Sequence, residues 1–496
     1  MEILSVSKAK IIDKKTIEEV GVPSIVLMEN AGSEIAKSIS ERGESFLICC
    51  GCGNNGGDGL VIARKLMLKE KKVKVIIIGN PEKGTNDFCI NYRILKNMKA
   101  DIDIITVINE SFTNYLSEYD IVLDCIFGVG LNREVEGVFY DAIAIINEFG
   151  KYIIAVDIPS GLDGDNGNKK GISIKADETY TIQVYKKGFL SYEALELLGK
   201  VSIVDIGILN ETIKENSCNI SFIDKENITR QLPKRKLWGH KGNYGKVVVL
   251  AGSEEYTGAA YLVSQAAVKT GTGLVTLIID DVVRGILAGK LVEAMTVGYK
   301  EKNKIDRLIK EATVIACGPG LGKGEKSVEK LKYVIKNSNC PLVLDADALN
   351  ILSENKDLFE YIRNRAVITP HMGEMSRLTG KSIEFIDSNK LEICKEFSSE
   401  YGIITLLKGY YTLISDGINI RVNNTGSSCM ASGGMGDVLT GIIASLIGQG
   451  MEVFQATQLG ANMHGAIGDL FSETNYSVNA QRLVDEIPYF MKKYLK

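Results

Sequence analysis

The stretch NTGSSCMASGGMGDVLTG, residues 424–441, decides how the second half of the chain must fold. A polar, glycine-rich loop runs into Gly433, Gly434, Met435, Gly436 and Asp437. From Val438 onward apolar residues recur at Leu439, Ile442, Ile443, Leu446 and Ile447, the spacing of a helix with one buried face. The glycines are therefore expected at a helix N-terminus. There, unpaired backbone N–H groups and the positive end of the helix dipole favour an anion, and missing Cβ atoms let a phosphate approach the backbone. Asp437 then stands in the mouth of an anion cradle. It reads also as an ordinary first-turn acid, although capping alone does not call for three neighbouring glycines.

Upstream of the cradle, HKGNYGKVVVLAGS (240–253) opens a series of short apolar runs at 274–279, 313–317, 341–344, 366–369, 403–407 and 411–415, with helical patterns between them. Such alternation predicts an α/β layer structure in which ligands bind beyond the carboxyl ends of the strands. Those ends carry GPGLG (318–322), DADALN (345–350), TPHMGEM (369–375) and LKGYYT (407–412). Asp345 and Asp347 read equally as Mg²⁺ ligands and as caps of the following helix. Lys408 is placed to meet a nucleotide phosphate, or is a plain surface lysine. His371 reads equally as a ligand contact and as a hydrogen-bonded loop residue.

The first half alternates in the same way. Strands are expected at 46–50, 73–78, 121–125, 152–156, 180–184 and 201–206, with helices between them such as 60–68 and 142–149, which predicts a parallel sheet covered on both faces. Three polar clusters fall at strand ends: GCGNNGGDG (51–59), DCIFGVGLNREVEG (124–137) and DIPSGLDGDNG (157–167). The first matches a dinucleotide fingerprint only loosely, because Asn54, Asn55 and Asp58 add side-chain oxygens; Asp58 reads also as a helix cap. Asp124 and Asp157 close apolar strands, where a charge avoids burial by facing the strand-end crevice. Asn55, Asp124 and Ser160 offer hard oxygens suited to a weakly held cation, and Asp157 is placed for proton transfer. The pattern weakens from 209 to 236, and the domain boundary is expected near Glu215, giving domains 1–215 and 216–496.

Composition narrows the function. A length of 496 residues implies more than one domain, and 45% hydrophobic with 24% charged residues is that of a soluble globular protein. A formal net charge of −4 argues against nucleic acid or an anionic membrane as partner. No stretch is long enough to cross a bilayer, the N-terminus lacks a secretory pattern, and a cytoplasmic location is expected. Cys49, Cys50 and Cys52 have no histidine near them in sequence and read as buried thiols.

Taken in order, these motifs resemble two known families. MENAG (28–32), GNNGGDGL, FGVGL and DIPSGLDGDNG resemble NAD(P)H-hydrate epimerases; HKGNYG, GTGLV (271–275), GPGLG, DADALN, TPHMGEM, LKG and GGMGDVLTG resemble ADP-dependent NAD(P)H-hydrate dehydratases of the ribokinase-like fold. The resemblance implies an N-terminal Rossmann-like domain and a C-terminal ribokinase-like domain, each three-layered. It implies that Asn54, Asn55, Gly56, Gly57 and Asp58, then Gly128, Val129, Gly130, Leu131, Asn132, Arg133 and Glu134, and Asp157 surround the hydrated nucleotide in the first half, with K⁺ on Asn55, Asp124 and Ser160. In the second half it implies Ala259, Gly322, His371 and Asp437 at the hydrate, and Lys408, Gly409, Tyr410, Tyr411, Thr412 and Gly436 at the adenine nucleotide.

The implied chemistry is repair of hydrated NADH and NADPH. The first half would interconvert the R and S hydrates and the second would dehydrate the S hydrate with ADP and Mg²⁺, with Asp157 and Asp437 as the catalytic carboxylates. Hydrates and ADP are then the partners, without nucleic acid or membrane, and a homo-oligomer is expected. The loop GSSCMAS departs from the family, whose members often have a proline and a further glycine there. The alternative is a ribokinase-type small-molecule kinase fused to a nucleotide-binding module, in which the clusters of the first half have no task.

Overall fold

Runs of β-branched and other apolar residues punctuated by glycine loops produce two separately packed units, Met1–Cys218 and Asn219–Lys496, in a computed structural model that describes residues 1–108 and 110–494. Among the described residues, the main sheet of the first unit has seven parallel strands. Their order is Ile102–Ile105, Lys72–Ile78, Ser45–Cys50, Ile121–Cys125, Ile153–Val156, Glu178–Ile182 and Lys200–Val204. The central strands are apolar on both faces because helices cover both: Leu47 and Cys49 face one core, Phe46, Ile48 and Cys50 the other. Strand order reverses between Ser45–Cys50 and Ile121–Cys125, so the loops leaving these two strands diverge and open a crevice.

A separate two-stranded piece pairs Ile3–Leu4 with Tyr185–Lys186 in parallel, Ile3 opposite Tyr185 and Leu4 opposite Lys186. Neither strand is evident in the sequence pattern, because two residues are too few for periodicity to register.

The loop expected at 51–59 is largely helix. The helix runs Asn54–Met67 with Gly53 as its N-cap, not from residue 60. The cause is packing: a Cβ on Gly56 would collide with the Gly51 carbonyl, one on Gly57 would come within 2.6 Å of Met28, and one on Gly59 within 2.8 Å of Cys125 and Cys50. These glycines bring the helix down onto the strand ends. The cradle helix likewise begins three residues early, as Met435–Gly448 behind Gly434 at φ 91°.

The second unit, again among the described residues, forms a ten-stranded sheet. Its order is Ile220–Phe222, Ile420–Asn423, Thr412–Ser415, Ile404–Leu407, Ala366–Ile368, Leu342–Leu344, Val314–Cys317, Lys246–Leu250, Leu274–Ile279 and Met295–Gly298. Helices were expected between all its strands, yet Ile404–Leu407 and Thr412–Ser415 form an antiparallel hairpin that continues to Ile420–Asn423. The turn LKGYYT is too short for a crossover helix. The stretch 209–236, where the sequence pattern weakens, holds the edge strand Ile220–Phe222 and the short helices Asn210–Glu215 and Lys225–Arg230.

The cradle helix is buried along nearly its whole length and lies against Thr257–Lys269. At the crossing, a Cβ on Gly441 would strike the Val263 carbonyl and come within 2.7 Å of the Ala266 Cβ. Gly441→Ala is therefore expected to destabilise the second unit by about 1–3 kcal/mol through overpacking. Its urea midpoint should fall with the slope unchanged, and an unaltered midpoint would show that the helices part freely.

Candidate functional site: two strand-end crevices

The crevice of the first unit is a cavity of about 600 Å³. Asn54, Asn55, Asp58, the loop Gly128, Val129, Gly130, Leu131, Asn132 and Arg133, and Asp157 line it together. Gly56 and Gly57 are absent from the wall and pack behind it, and Glu134 turns its carboxylate toward Gly171.

Asp157 follows the strand Ile153–Val156 in the left-handed region, at φ 66°, a conformation that costs a non-glycine residue about 1–3 kcal/mol. Hydrogen bonds hold it there, among them one from the Ile182 N–H to its Oδ1 at 3.2 Å. Its N–H donates to the Tyr180 carbonyl at 2.8 Å, and its Oδ1 accepts Lys186 Nζ at 2.6 Å. Lys186 is 2% exposed and donates also to Thr181 Oγ1 at 2.8 Å and to the Ile182 carbonyl at 2.9 Å, so all three ammonium protons are used. Asp58, in the first turn of its helix, has no hydrogen-bond donor among the described residues; burial first, then the charges of Asp157, Asp13 and Asp87, push its carboxyl well above the usual range.

Asp124 does not face the crevice as a solvated charge. It is the penultimate residue of Ile121–Cys125 and fully buried, because the strand continues one residue past it. Burial raises its carboxyl to about 6, opposed by Ser160, whose hydroxyl donates to Oδ1 at 2.5 Å and whose N–H donates to Oδ2 at 2.7 Å. Asn55 Nδ2 donates to the Phe127 carbonyl at 2.9 Å, and the Phe127 N–H donates to Ser160 Oγ at 2.8 Å. The remaining atom, Asn55 Oδ1, is buried without a partner. The orphaned Asn55 oxygen, joined through Phe127 to Ser160 and Asp124, is a group that a weakly held cation would satisfy.

Two residues of this site went unread in the sequence. Lys186 is signalled only by a lysine pair, Lys186 and Lys187, between the apolar residues of VYKKGFL. Asp13 also lines the cavity, on the helix Val6–Lys15; its signal is the four-residue spacing from buried Ala9, which sets both on one helix face.

In the second unit the reversal of strand order falls between Lys246–Leu250 and Val314–Cys317. Asp345, after Leu342–Leu344, is 1% exposed and wholly committed: Oδ1 accepts Lys408 Nζ at 2.9 Å and Oδ2 accepts Thr440 Oγ1 at 2.9 Å. Burial alone would raise its carboxyl, but Lys408, Thr369 and Thr440 carry it below the ordinary value. Asp347 does not cap its helix by a side-chain hydrogen bond. Its Oδ2 takes the Gly322 N–H at 2.8 Å and ties GPGLG in place. A Cβ on Gly320 would lie 3.1 Å from that of Ala259, which brings Ala259 and Gly322 to the same loop.

A Cβ on Gly436 would lie 3.4 Å from Lys408 Nζ and 3.5 Å from Asp345 Oδ2, so cradle, lysine and strand-end aspartate converge. Asp437 joins them one residue on. Burial pushes its carboxyl up to about 7, Asp345 adds to the rise and Lys408 opposes it. Gly409, Tyr410 and Tyr411 form the hairpin turn beside Lys408, with Thr412 Oγ1 donating to the Gly409 carbonyl at 3.1 Å and Tyr410 57% exposed. His371 is the N-cap of Met372–Thr379: its Nδ1 accepts the Gly373 N–H at 3.0 Å, which puts the proton on an exposed Nε2, and Glu374 returns the bond to the His371 N–H at 2.8 Å. Glu374 Oε2 also lies 3.9 Å from Lys408 Nζ.

A Rossmann-like sheet with acid-lined strand ends, followed by a ribokinase-like domain with a glycine cradle and a raised carboxyl, defines a two-domain enzyme of nucleotide chemistry. Residues 247–489 match the family described as NAD(P)H-hydrate dehydratase, and residues 24–188 match the YjeF-related protein N-terminus. The chain is 36% identical to the bifunctional NAD(P)H-hydrate repair enzyme of Moorella thermoacetica, over 99% of this chain and 97% of that protein. It is also 36% identical to the corresponding enzyme of Thermofilum pendens, over 95% and 92%. A solved ribokinase-like superfamily protein from Enterococcus faecalis superposes with a TM-score of 0.52 at 30% identity, covering 56% of this chain and 96% of that one. The chain belongs to the family of bifunctional NAD(P)H-hydrate repair enzymes. No described helix is long and apolar enough to cross a membrane.

Removing the Lys408 ammonium leaves Asp345 as an unpaired buried carboxylate. Lys408→Met should cost the second unit about 3–5 kcal/mol, and Asp345→Asn with Lys408→Met should cost less than the two changes summed. Calorimetry of the four proteins of the cycle checks this; additive losses would mean that the pair is not coupled.

Proposed function

We propose that this chain repairs hydrated NADH and NADPH in two steps, the first unit epimerising the R and S hydrates and the second dehydrating the S hydrate with ADP. The observation that carries the reading is Asp437: a carboxyl raised to about 7 in the first turn of a glycine-opened helix, beside Lys408.

Hydroxide is a poor leaving group. Transfer of the terminal phosphoryl of ADP to the hydrate hydroxyl makes phosphate the leaving group. Elimination of phosphate, with loss of a proton from the adjacent ring carbon to solvent, restores the dihydropyridine and gives AMP, phosphate and a proton. Asp437 takes the hydroxyl proton in this reading, and the backbone N–H groups at the helix start hold the phosphoryl. Lys408, with Gly436 and the turn Gly409 to Thr412, holds the adenine nucleotide. Ala259, Gly322 and the exposed Nε2 of His371 contact the hydrate. Mg²⁺ enters as the counter-ion of the nucleotide phosphates; Asp345 and Asp347, already hydrogen-bonded, are not assigned to it.

In the first unit Asn55, Asp124 and Ser160 would hold K⁺, which supplies fixed positive charge beside the substrate loop; support comes from the orphaned Asn55 Oδ1. Asp157, ion-paired with Lys186, is the base of the epimerisation. A cytoplasmic location and a homo-oligomeric state belong to the same reading.

The test supplies the full chain with a mixture of R and S NADH hydrates, ADP, Mg²⁺ and K⁺ and follows the return of dihydropyridine absorbance. Complete recovery is expected from the parent, none from Asp437→Ala, and recovery of one epimer only from Asp157→Ala. No recovery by the parent would refute the reading. Because Asp437 must be ionised to accept a proton, dehydration should rise with pH through about 7. Lys408→Ala removes the charge that lowers that value, and should shift the rise to higher pH; an unmoved rise would remove Asp437 as the titrating group.

A further inference from the structure

The first unit holds an acid outside the residues that the family resemblance assigns. Asp13 lines the same cavity as Asp58, Asp157 and Lys186, and it lies in the first 23 residues, before the matched stretch 24–188 begins. Its position is built. Ser5 caps the helix Val6–Lys15 by accepting the Lys8 N–H at 3.3 Å, and the Val6 N–H donates to Asp165 Oδ1 at 2.7 Å. The strand Ile3–Leu4, directly before that helix, pairs with Tyr185–Lys186. One short N-terminal segment thus sets both Asp13 and the backbone of Lys186.

We propose that Asp13 is the proton donor of the epimerisation, working with Asp157 as the acceptor. The inference rests on the epimerase reading above. In the hydrate the hydroxyl sits on a carbon bonded to the ring nitrogen. Asp13 gives its proton to that hydroxyl, the C–O bond breaks, water leaves, and the nitrogen lone pair forms the C=N⁺ bond. Water then adds to the opposite face while Asp157 takes its proton. One water leaves and one enters, nothing is oxidised or reduced, and the proton gained by Asp157 returns to Asp13 through solvent.

Asp13 is exposed, whereas Asp58 is buried, so Asp13 can be recharged from solvent in each cycle. Desolvation by the surrounding cavity raises its carboxyl to about 6, with Lys186 opposing and Asp157 adding to the rise. The charged groups around the cavity are Lys10 on its own helix, Asp58, Arg133, Asp157 and Lys186. The limbs of a pH–rate profile belong to this coupled set.

The experiment uses the full chain and purified R hydrate of NADH without ADP, following the appearance of S hydrate by chromatography above the uncatalysed rate. A parent that does not interconvert the hydrates refutes the epimerase reading itself, separately from Asp13. Given an active parent, Asp13→Asn should lower the epimerisation kcat by about 100-fold or more and abolish the alkaline limb near pH 6, above which a proton donor is lost. A rate within twofold of the parent, or a slowed rate with the alkaline limb unmoved, overturns the proposal. Should Asp13→Asn lose the thermal transition of the first unit, Asp13→Glu decides. A retained but displaced alkaline limb supports Asp13, and an unmoved limb overturns it.

Discussion

A lysine ammonium locked against a strand-end aspartate is the interaction on which each crevice depends. Lys186 meets Asp157 at 2.6 Å and Lys408 meets Asp345 at 2.9 Å, and in both pairs the carboxylate is almost wholly buried. Neither charge is tolerable alone in such surroundings, so each pair stands or falls together. The lysine also sets the electrostatics of a neighbour: Lys186 opposes the rise at Asp13, and Lys408 opposes the rise at Asp437. In each unit an ion pair thus adjoins a carboxyl whose proton affinity has been raised by burial.

The glycines of the two units do different work under one motif-like appearance. In GCGNNGGDG they let a helix settle on the ends of two strands, with the Gly51 carbonyl, Met28 and Cys125 occupying the space of the missing side chains. In GGMGD, a Cβ on Gly434 would strike Leu262, but Gly433 would meet nothing within 4 Å and Gly436 only the tips of Lys408 and Asp345. The first pattern is mostly packing, and the second leaves space for a ligand at Gly433 and Gly436. A glycine count alone does not separate them.

Much of the architecture was legible because it rests on periodicity. The strands 121–125 and 274–279 have the bounds that apolar runs give them. Elements too short to show a period escaped: Ile3–Leu4, Tyr185–Lys186, and Ile220–Phe222 in a stretch where the pattern weakens. The hairpin at Lys408 escaped because strand direction is not written in local composition. For the crevices, Asp157 and Asp437 were readable from strand-end and helix-start position. Their partners were not: the Asp157–Lys186 and Asp345–Lys408 contacts join distant segments, and the helix spacing of Asp13 from Ala9 does not say which cavity that face meets. The commitment of Asp347 to the Gly322 N–H is likewise a tertiary fact.

The edge strand Ile220–Phe222 pairs with Ile420–Asn423, Ile220 opposite Ile420. On a ribosome adding about 5–20 residues per second, the later strand emerges about 10–40 s after the earlier one. Unit one can be finished during that interval, while the opening strand of unit two waits without its partner. Three residues are a poor template for foreign strands, so a short edge makes this delay safe for a newly synthesised chain.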